Sequence, residues 1–281
     1  MTTLDGYQID DRMDDRTDPG QAPQPQGGPR REALGARRRA VAALFDPVTC
    51  RHLEELGVGP GWRCWEIGAG GATVAAWLAK KVGPTGKVVL TDTDVSWAEA
   101  ATRPVESRVH RLGRDEPPGE GFDLVHARLA LVGAPDRERA LRTIIRALRP
   151  GGRLLVEDAD LELQPLLCPE ESGPEQQLAN RLRLGLRRLL AEHGVDLAYG
   201  RRLPGLLREA GLRRVEADVY FPLASEACGE LEVATVGQHR EALVAAGVAT
   251  AEEIDRHLAH VATGTMDLAA TPLVSTRARR P

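Results

Sequence analysis

The most constraining stretch of this 281-residue chain is a glycine turn between two regular patterns. A mostly apolar run, Trp62–Ile67, predicts a strand; Gly68 and Gly70 follow it, and a helical pattern begins after Thr73. Glycines let the backbone bend tightly and let a ligand approach main-chain N–H groups. The helix N-terminus behind the turn supplies unpaired donors and a partial positive charge. The stretch therefore predicts a nucleotide site.

Two classes of nucleotide compete for this turn. A dinucleotide fingerprint needs a third glycine where this chain has Thr73, and Glu66 would lie beside an anionic pyrophosphate. A carboxylate at that place suits a ligand that carries a cationic ammonium. Asp92 ends a second predicted strand, Lys87–Asp92, at close to the ~20 positions expected for an acid that binds ribose hydroxyls. A nicotinamide-dependent oxidoreductase stays open as an alternative.

At these residues the chain resembles the class I S-adenosylmethionine-dependent methyltransferases. Their first motif, acid-x-Gly-x-Gly-x-Gly, is matched by Glu66, Gly68 and Gly70, with Ala72 in place of the third glycine. The resemblance implies S-adenosyl-L-methionine as the cofactor and methyl transfer to a small-molecule acceptor.

A second block strengthens this resemblance, which covers residues 60–160 well. Phe122–Val125 reads Phe-Asp-Leu-Val, and Leu148–Gly152 reads Leu-Arg-Pro-Gly-Gly before an apolar strand. The implied fold is α/β, a Rossmann-like, doubly wound, mostly parallel seven-stranded sheet with N-terminal helices and a helical cap. In the family the last strand inserts antiparallel beside the sixth.

The resemblance assigns cofactor contacts to the glycine turn and to the ends of the following strands. Asp92 is expected to hold the ribose, and the backbone of Ala127 the amino-acid end. Arg111 stands where many relatives have an adenine-binding aspartate, so the Leu112 backbone or a stacked arginine would compensate. The cofactor-binding candidates are Glu66, Gly68, Ala69, Gly70, Asp92, Thr93, Arg111, Leu112, Ala127, Arg128 and Arg37.

Candidate catalytic residues lie at the carboxyl ends of strands, where ligands sit in open parallel sheets. His126 could act as a general base, although a histidine within a strand is more often packed or hydrogen-bonded. Glu157 or Asp158 could accept a proton or hold a cationic substrate, or simply form a solvated strand end. Tyr7 joins them, since a closing N-terminal segment would carry it to the site. Relatives often have a histidine where Gly133 stands, so a cofactor-binding protein without turnover is a further alternative.

The chain divides into four predicted parts. Residues 1–35 form a flexible segment that could close over the site. Residues 36–164 form the cofactor-binding core, and residues 165–200 a helical cap built on a helix over Gln176–His193. Residues 201–281 complete the sheet and its helices.

Three local patterns make specific predictions. The helical pattern from Ala36 to Leu56 is interrupted at Asp46-Pro47, which predicts an N-cap and a second helix. Ser107–Leu112 predicts the third strand. The arginines of the cap helix, without interleaved aromatic residues, predict a solvated face rather than a nucleic-acid surface; they are Arg181, Arg183, Arg187 and Arg188.

Composition limits the partners. The net charge of −4 argues against a nucleic-acid footprint. The sequence contains no apolar run of 18 residues, so we expect no membrane span. The four cysteines, Cys50, Cys64, Cys168 and Cys228, lack metal-site spacing, so we expect no metal and a reducing, cytoplasmic compartment. We expect a small-molecule substrate, and a secondary metabolite because long flanking segments would bury the pocket. A homodimer stays open.

Overall fold

A central sheet organises the part of the chain that the computed structural model describes, residues 2–4, 7–9, 29–68, 70–96 and 102–281. Two short strands, β1 (Thr2–Leu4) and β2 (Tyr7–Ile9), pair antiparallel apart from it. Its own strands are β3 (Arg63–Ile67), β4 (Lys87–Asp92), β5 (Val105–Val109), β6 (Phe122–Arg128), β7 (Leu148–Ala159), β8 (Arg213–Tyr220) and β9 (Leu273–Arg279).

The strand order of this sheet is β5-β4-β3-β6-β7-β9-β8. The first five strands in that order run parallel, whereas β9 is antiparallel to both β7 and β8. The predicted fold class is confirmed, and so is the antiparallel insertion of the last strand. The order reverses at β3, and the glycine turn follows directly from this strand, at the point where open α/β sheets bind ligands.

Helices cover both faces of the sheet. They are α1 (Pro29–Glu55), α2 (Thr73–Val82), α3 (Arg137–Ala147), α4 (Pro174–Glu192), α5 (Tyr199–Glu209), α6 (Glu226–Ala245) and α7 (Ala251–Val261). Since side chains alternate along a strand, Trp65 and Val125 face α3 and α5, whereas Leu90 and Leu124 face α2 and the end of α1. A third apolar cluster joins α1 to α6 and α7.

The first long helix differs from its prediction. One helix, α1, runs from Pro29 to Glu55 with Pro47 inside it, so the predicted break at Asp46-Pro47 is wrong. An interior proline costs about 3 kcal/mol, but the turns around it bury Leu44, Phe45 and Val48, which holds the helix together. The helix also begins within the segment predicted to be flexible; residues 10–28 of that segment lie outside the described residues.

The third strand of the sheet ends earlier than predicted. The strand β5 pairs with β4 from Val88↔Val105 to Asp92↔Val109, and the partner strand stops there. Arg111 and Leu112 therefore lie in the following loop. The predicted cap helix is found as α4, while the predicted domain limits at residues 164 and 200 stay predictions.

Candidate functional site

The glycine turn adopts the backbone that its sequence predicts. Gly68, Gly70 and Gly71 have φ values of 92°, 43° and 99°, in the left-handed region that favours glycine. The Gly68 N–H donates to the carbonyl of Thr91 at 2.8 Å, which ties the turn to β4. Within the described residues, the N-cap of α2, Ala72, makes no side-chain cap hydrogen bond, so the backbone donors of the first turn face the glycine turn. Ala69, another candidate, lies outside the described residues.

Asp92 stands at the end of β4, the strand beside β3. Its Oδ1 accepts hydrogen bonds from the Asp94 backbone N–H at 3.1 Å and from the Thr93 hydroxyl at 3.2 Å. These bonds hold the half-buried carboxylate at the carboxyl edge of the sheet. Because neighbouring strands lie about 4.8 Å apart, the structure brings Asp92 beside the glycine turn.

The loop after β5 holds the two residues predicted to recognise adenine. The Arg111 side chain is exposed, and its backbone N–H donates to Asp115 Oδ2 at 2.7 Å. Leu112 is partly buried against the core cluster that contains Trp65. The loop follows directly from the strand that pairs with β4, so it lies at the same edge of the sheet as Asp92.

A buried row of ionisable side chains crosses the sheet beneath α1. His126, fully buried on β6, places Nδ1 at 2.6 Å from Glu66 Oε2 and Nε2 at 3.3 Å from Glu157 Oε2. Glu66 and Glu157 are buried on the flanking strands β3 and β7. Both ring nitrogens of His126 therefore meet carboxylates.

The helix α1 supplies further partners for the same carboxylate. The Thr49 hydroxyl donates to Glu157 Oε2 at 2.5 Å, and Ser275 on β9 donates to Oε1 at 2.7 Å. His52 lies between Glu157 Oε1 at 3.3 Å and Asp218 Oδ2 at 3.1 Å. The row thus runs from the glycine turn to the half-exposed Asp218 on β8.

These contacts determine the charges in the row. Burial disfavours a charged imidazole, but the charge of Glu66 and hydrogen bonds with Glu157 and Glu66 outweigh burial and raise the pKa of His126 to about 9. Burial also opposes a charged Glu157, yet the hydrogen bonds from His126 and His52 hold its pKa well below the usual range. Burial raises the pKa of Glu66, against the charge and hydrogen bond of His126. At neutral pH His126 is an imidazolium beside the ionised Glu157, so this geometry does not support its predicted role as a base.

Asp158 points to the opposite face of the sheet from Glu157. It is fully buried, and this burial raises its pKa well above the ordinary value, although Arg137 and the nearby backbone N–H groups of Val132 and Leu131 act in the opposite direction. The structure therefore separates two carboxylates that the sequence places together, and their pKa values shift in opposite directions.

Two predicted cofactor contacts are engaged elsewhere. Arg128 donates to Thr49 Oγ1 at 3.0 Å and to Asp46 Oδ1 at 2.7 Å, so its guanidinium binds α1. Arg37 donates to Thr235 Oγ1 on α6 at 3.3 Å. The predicted roles of both side chains at the cofactor stay predictions.

Ala127 and Tyr7 are the remaining candidate residues. Ala127 is fully buried and pairs with Ile67 and Val156 within the ladder. Tyr7 lies on β2, and its side chain falls outside the described part of the chain. In the described residues no group of three or more His, Cys, Asp or Glu side chains could hold a metal ion.

Sequence reasoning missed the residues of α1 that bind Glu157 and Arg128. Asp46, Thr49 and His52 recur every third residue and so lie along one side of a helix. That spacing indicates a shared face of one helix, but the predicted helix break at Asp46-Pro47 made this face difficult to recognise. Asp218 and Ser275 carried no such signal, because they join the row only through the pairing of β8 with β9.

The sheet order, the glycine turn and the acid on the next strand define the fold of class I S-adenosylmethionine-dependent methyltransferases. Residues 65–154 match the family described as "Methyltransferase domain". This segment of the chain is therefore similar to a methyltransferase domain, in agreement with the family that the sequence predicts.

Two curated relatives are named methyltransferases. The chain is 35% identical over 125 residues to the ubiquinone/menaquinone biosynthesis C-methyltransferase UbiE of Ectopseudomonas mendocina, covering 41% of this chain and 49% of that protein. It is 33% identical over 125 residues to the methyltransferase GfsG of Streptomyces halstedii, covering 42% and 45%. The matched segments span about half the length of these relatives.

Solved structures agree on the fold. Phosphoethanolamine N-methyltransferase 2 of Haemonchus contortus, in complex with S-adenosyl-L-methionine, aligns with a TM-score of 0.54 at 15% identity, over 88% of this chain and 56% of that one. The YcgJ protein of Bacillus subtilis aligns with a TM-score of 0.52 at 14% identity, over 89% and 98%. Among the described helices, none has the length and apolar character needed to cross a membrane.

Proposed function

We propose that this protein transfers a methyl group from S-adenosyl-L-methionine to a small-molecule acceptor. The observation that carries the proposal is the meeting of Glu66, the glycine turn and Asp92 at the carboxyl edge of β3 and β4. The family match over residues 65–154 supports it, as do relatives that are themselves named methyltransferases.

The residues present fit this cofactor. A Cβ added to Gly68 would lie 3.7 Å from the carbonyl oxygen of Arg128, so the turn presents bare backbone beside the end of β6. In the proposal Glu66 attracts the cofactor's ammonium, the donors of α2 face its carboxylate, and Asp92 accepts hydrogen bonds from the ribose hydroxyls. When bound, S-adenosyl-L-methionine supplies an electrophilic methyl group on a sulfonium.

The protein's own contribution is positioning. His126 orients the Glu66 carboxylate by a 2.6 Å hydrogen bond, and Glu157 holds the other side of the imidazolium. The helix α1 passes close to the glycine turn, with Arg38 Cβ 4.0 Å from the position of a Cβ added to Gly71. Holding a nucleophile in line with the methyl group accounts for most of the rate enhancement expected of such a site.

The proposal also covers the chemical class of the methyl acceptor. We expect a secondary metabolite as the acceptor and a cytoplasmic location for the protein. The name of the UbiE relative suggests a second class of small-molecule acceptor, a quinone precursor. Methyl transfer needs no base when the acceptor atom already carries a free electron pair. This agrees with the contacts of His126, whose two ring nitrogens both meet glutamate oxygens.

Calorimetric titration tests the cofactor. S-adenosyl-L-methionine and S-adenosyl-L-homocysteine should bind, whereas NADH and NADPH should not; the reverse result would favour an oxidoreductase and overturn the proposal. Transfer of labelled methyl from the cofactor to a panel of small phenols, quinols, amines and acids then tests turnover. Cofactor binding without transfer to any member would favour a binding protein without turnover.

A further inference from the structure

A cleft lies between α4 and α6, away from the glycine turn. It is narrow, with enclosed room for little more than a water-sized group, and it opens to solvent. Three leucines and three charged residues supply most of its wall: Leu161, Leu186, Leu231, Arg183, Arg187 and Glu232. The sequence predicted a solvated arginine face on α4, but the structure divides that face, since Arg183 and Arg187 turn into the cleft.

The floor of the cleft is the carboxyl edge of the sheet. Leu161 follows shortly after β7, and Ala270 and Thr271 come just before β9. The Asp160 N–H donates to the carbonyl of Pro272 at 2.9 Å, which joins these two segments. The strand β7 lies two places from β3, or about 10 Å, so the floor of the cleft and the glycine turn belong to the same edge of the sheet.

The side chains that line the cleft include two arginines and one glutamate, while the charges of Glu162 and Asp160 also act on Arg187. Arg183 and Arg187 are four residues apart on one helix, a spacing at which like charges repel. Arg183 donates to the carbonyl of Ala269 at 3.0 Å and lies 4.0 Å from Glu232, which is itself bound by His257 Nε2 at 3.0 Å. Two guanidiniums thus face one carboxylate that already has a partner.

Arg187 is the less satisfied of the two arginines. Its Nε is buried and has no hydrogen-bond partner within the described residues. Burial lowers its pKa and the charge of Arg183 lowers it further, against the opposite effect of Glu162 and Asp160. An anion between the two guanidiniums would remove their repulsion and satisfy this donor.

We propose that the cleft binds an anionic group, a carboxylate or a phosphate, on the methyl acceptor, with Arg187 as its principal ligand and Arg183 as the second. The inference rests on the proposed function, because it places the acceptor's anion at the sheet edge next to the cofactor. A planar guanidinium donates two parallel hydrogen bonds to such groups, and the three leucines offer an apolar wall for the carbon skeleton.

The test compares anionic and neutral probes on the protein saturated with S-adenosyl-L-homocysteine, whose own binding is measured first. Benzoate, octanoate and phenyl phosphate are titrated beside benzamide and octanamide, and the Arg187 Nε signal is followed by NMR. Arg187→Gln removes the proposed ligand. Arg188→Gln is the matched control, since Arg188 is the next residue on α4, is 80% exposed and pairs with Glu192 outside the cleft.

We expect at least one anion to bind about 10-fold tighter than its neutral partner and to shift the Arg187 signal. Arg187→Gln should abolish that preference, and Arg188→Gln should keep it. Binding by phenyl phosphate alone would identify the anion as phosphate, and binding by the acids alone as carboxylate. Equal binding of acids and amides, binding of no anion, or an unchanged preference in Arg187→Gln overturns the inference. Failure to bind S-adenosyl-L-homocysteine would instead contradict the proposed function.

Discussion

The hydroxyl of Thr49 donates a 2.5 Å hydrogen bond to Glu157, and this bond joins α1 to the middle of the sheet. Glu157 also meets His52, His126 and Ser275, so side chains from α1, β6 and β9 converge on one fully buried carboxylate. A buried charge with this many partners is stable only while they all remain in place.

Removing the Thr49 hydroxyl should therefore destabilise the protein. Thr49→Val keeps the shape of the side chain but deprives Glu157 and Arg128 of a partner, and we expect a loss of about 1–3 kcal/mol in the free energy of unfolding. Urea denaturation measures it. Thr85→Val, at an exposed turn, is the control and should change stability little. Equal stability of both variants would show that the bond contributes nothing.

The imidazolium of His126 should make stability depend on pH. Its pKa of about 9 in the folded protein exceeds the ordinary 6.5. The contribution is therefore fully present below pH 6.5 and is lost as the pH rises through about 9, a difference on the order of 3 kcal/mol. Glu157 acts in the opposite sense, because its lowered pKa contributes above its ordinary value and is lost in acid.

Unfolding at several pH values tests this assignment. The free energy of unfolding of the wild type should fall between pH 7 and 9, while His126→Asn, which cannot titrate, should give a flatter curve in that range. NMR should detect protons on both ring nitrogens of His126 at pH 7. Parallel curves for the two proteins, or a single ring proton, would rule out the imidazolium.

Asp92 should contribute to cofactor affinity. Asp92→Ala removes the proposed acceptor of the ribose hydroxyls, and we expect binding of S-adenosyl-L-homocysteine to weaken by about 1–3 kcal/mol. Calorimetry measures it. The matched control is Asp94→Ala, two residues later, where the carboxylate accepts from the Ser96 N–H and has no proposed ligand contact. Unchanged affinity in Asp92→Ala would remove the ribose assignment.

A second buried carboxylate depends on α5. Arg201 binds both oxygens of the fully buried Asp160, with Nε at 2.5 Å and Nη2 at 2.6 Å. Arg201→Ala leaves Asp160 with backbone donors only, and we expect a loss of about 1–3 kcal/mol in thermal or urea unfolding. Arg202→Ala, which breaks an exposed pair with Asp196, should cost about 0.5 kcal/mol or less. Similar losses in both variants would contradict this explanation.

Local patterns predicted much of the fold. The strand β4 was predicted with both ends correct, and the glycine turn with its acid was visible because these features depend on short stretches of sequence. The family resemblance then supplied the sheet topology. The interrupted first helix was wrong because proline has a strong local preference, which the buried side chains around Pro47 overcome.

The site itself was only partly predictable. Glu66, Glu157 and His126 were recognised individually, but their joining into one row depends on strand register and on a helix that precedes the sheet. Ser275 is 118 residues from Glu157, so no local pattern links them. Likewise, which arginines of α4 turn inward depends on how this helix packs against α6, and the spacing of the arginines does not reveal it.

The position of β9 has a consequence for vectorial synthesis. In the described sheet β8 hydrogen-bonds only to β9, and β9 is the last of the seven strands to leave the ribosome. Until it emerges, β8 has no partner and Glu157 lacks the hydroxyl of Ser275. The strands β3, β4, β5 and β6 can therefore pair early in synthesis. The strand β8 and the buried Glu157 obtain their last partners only after β9 has been made.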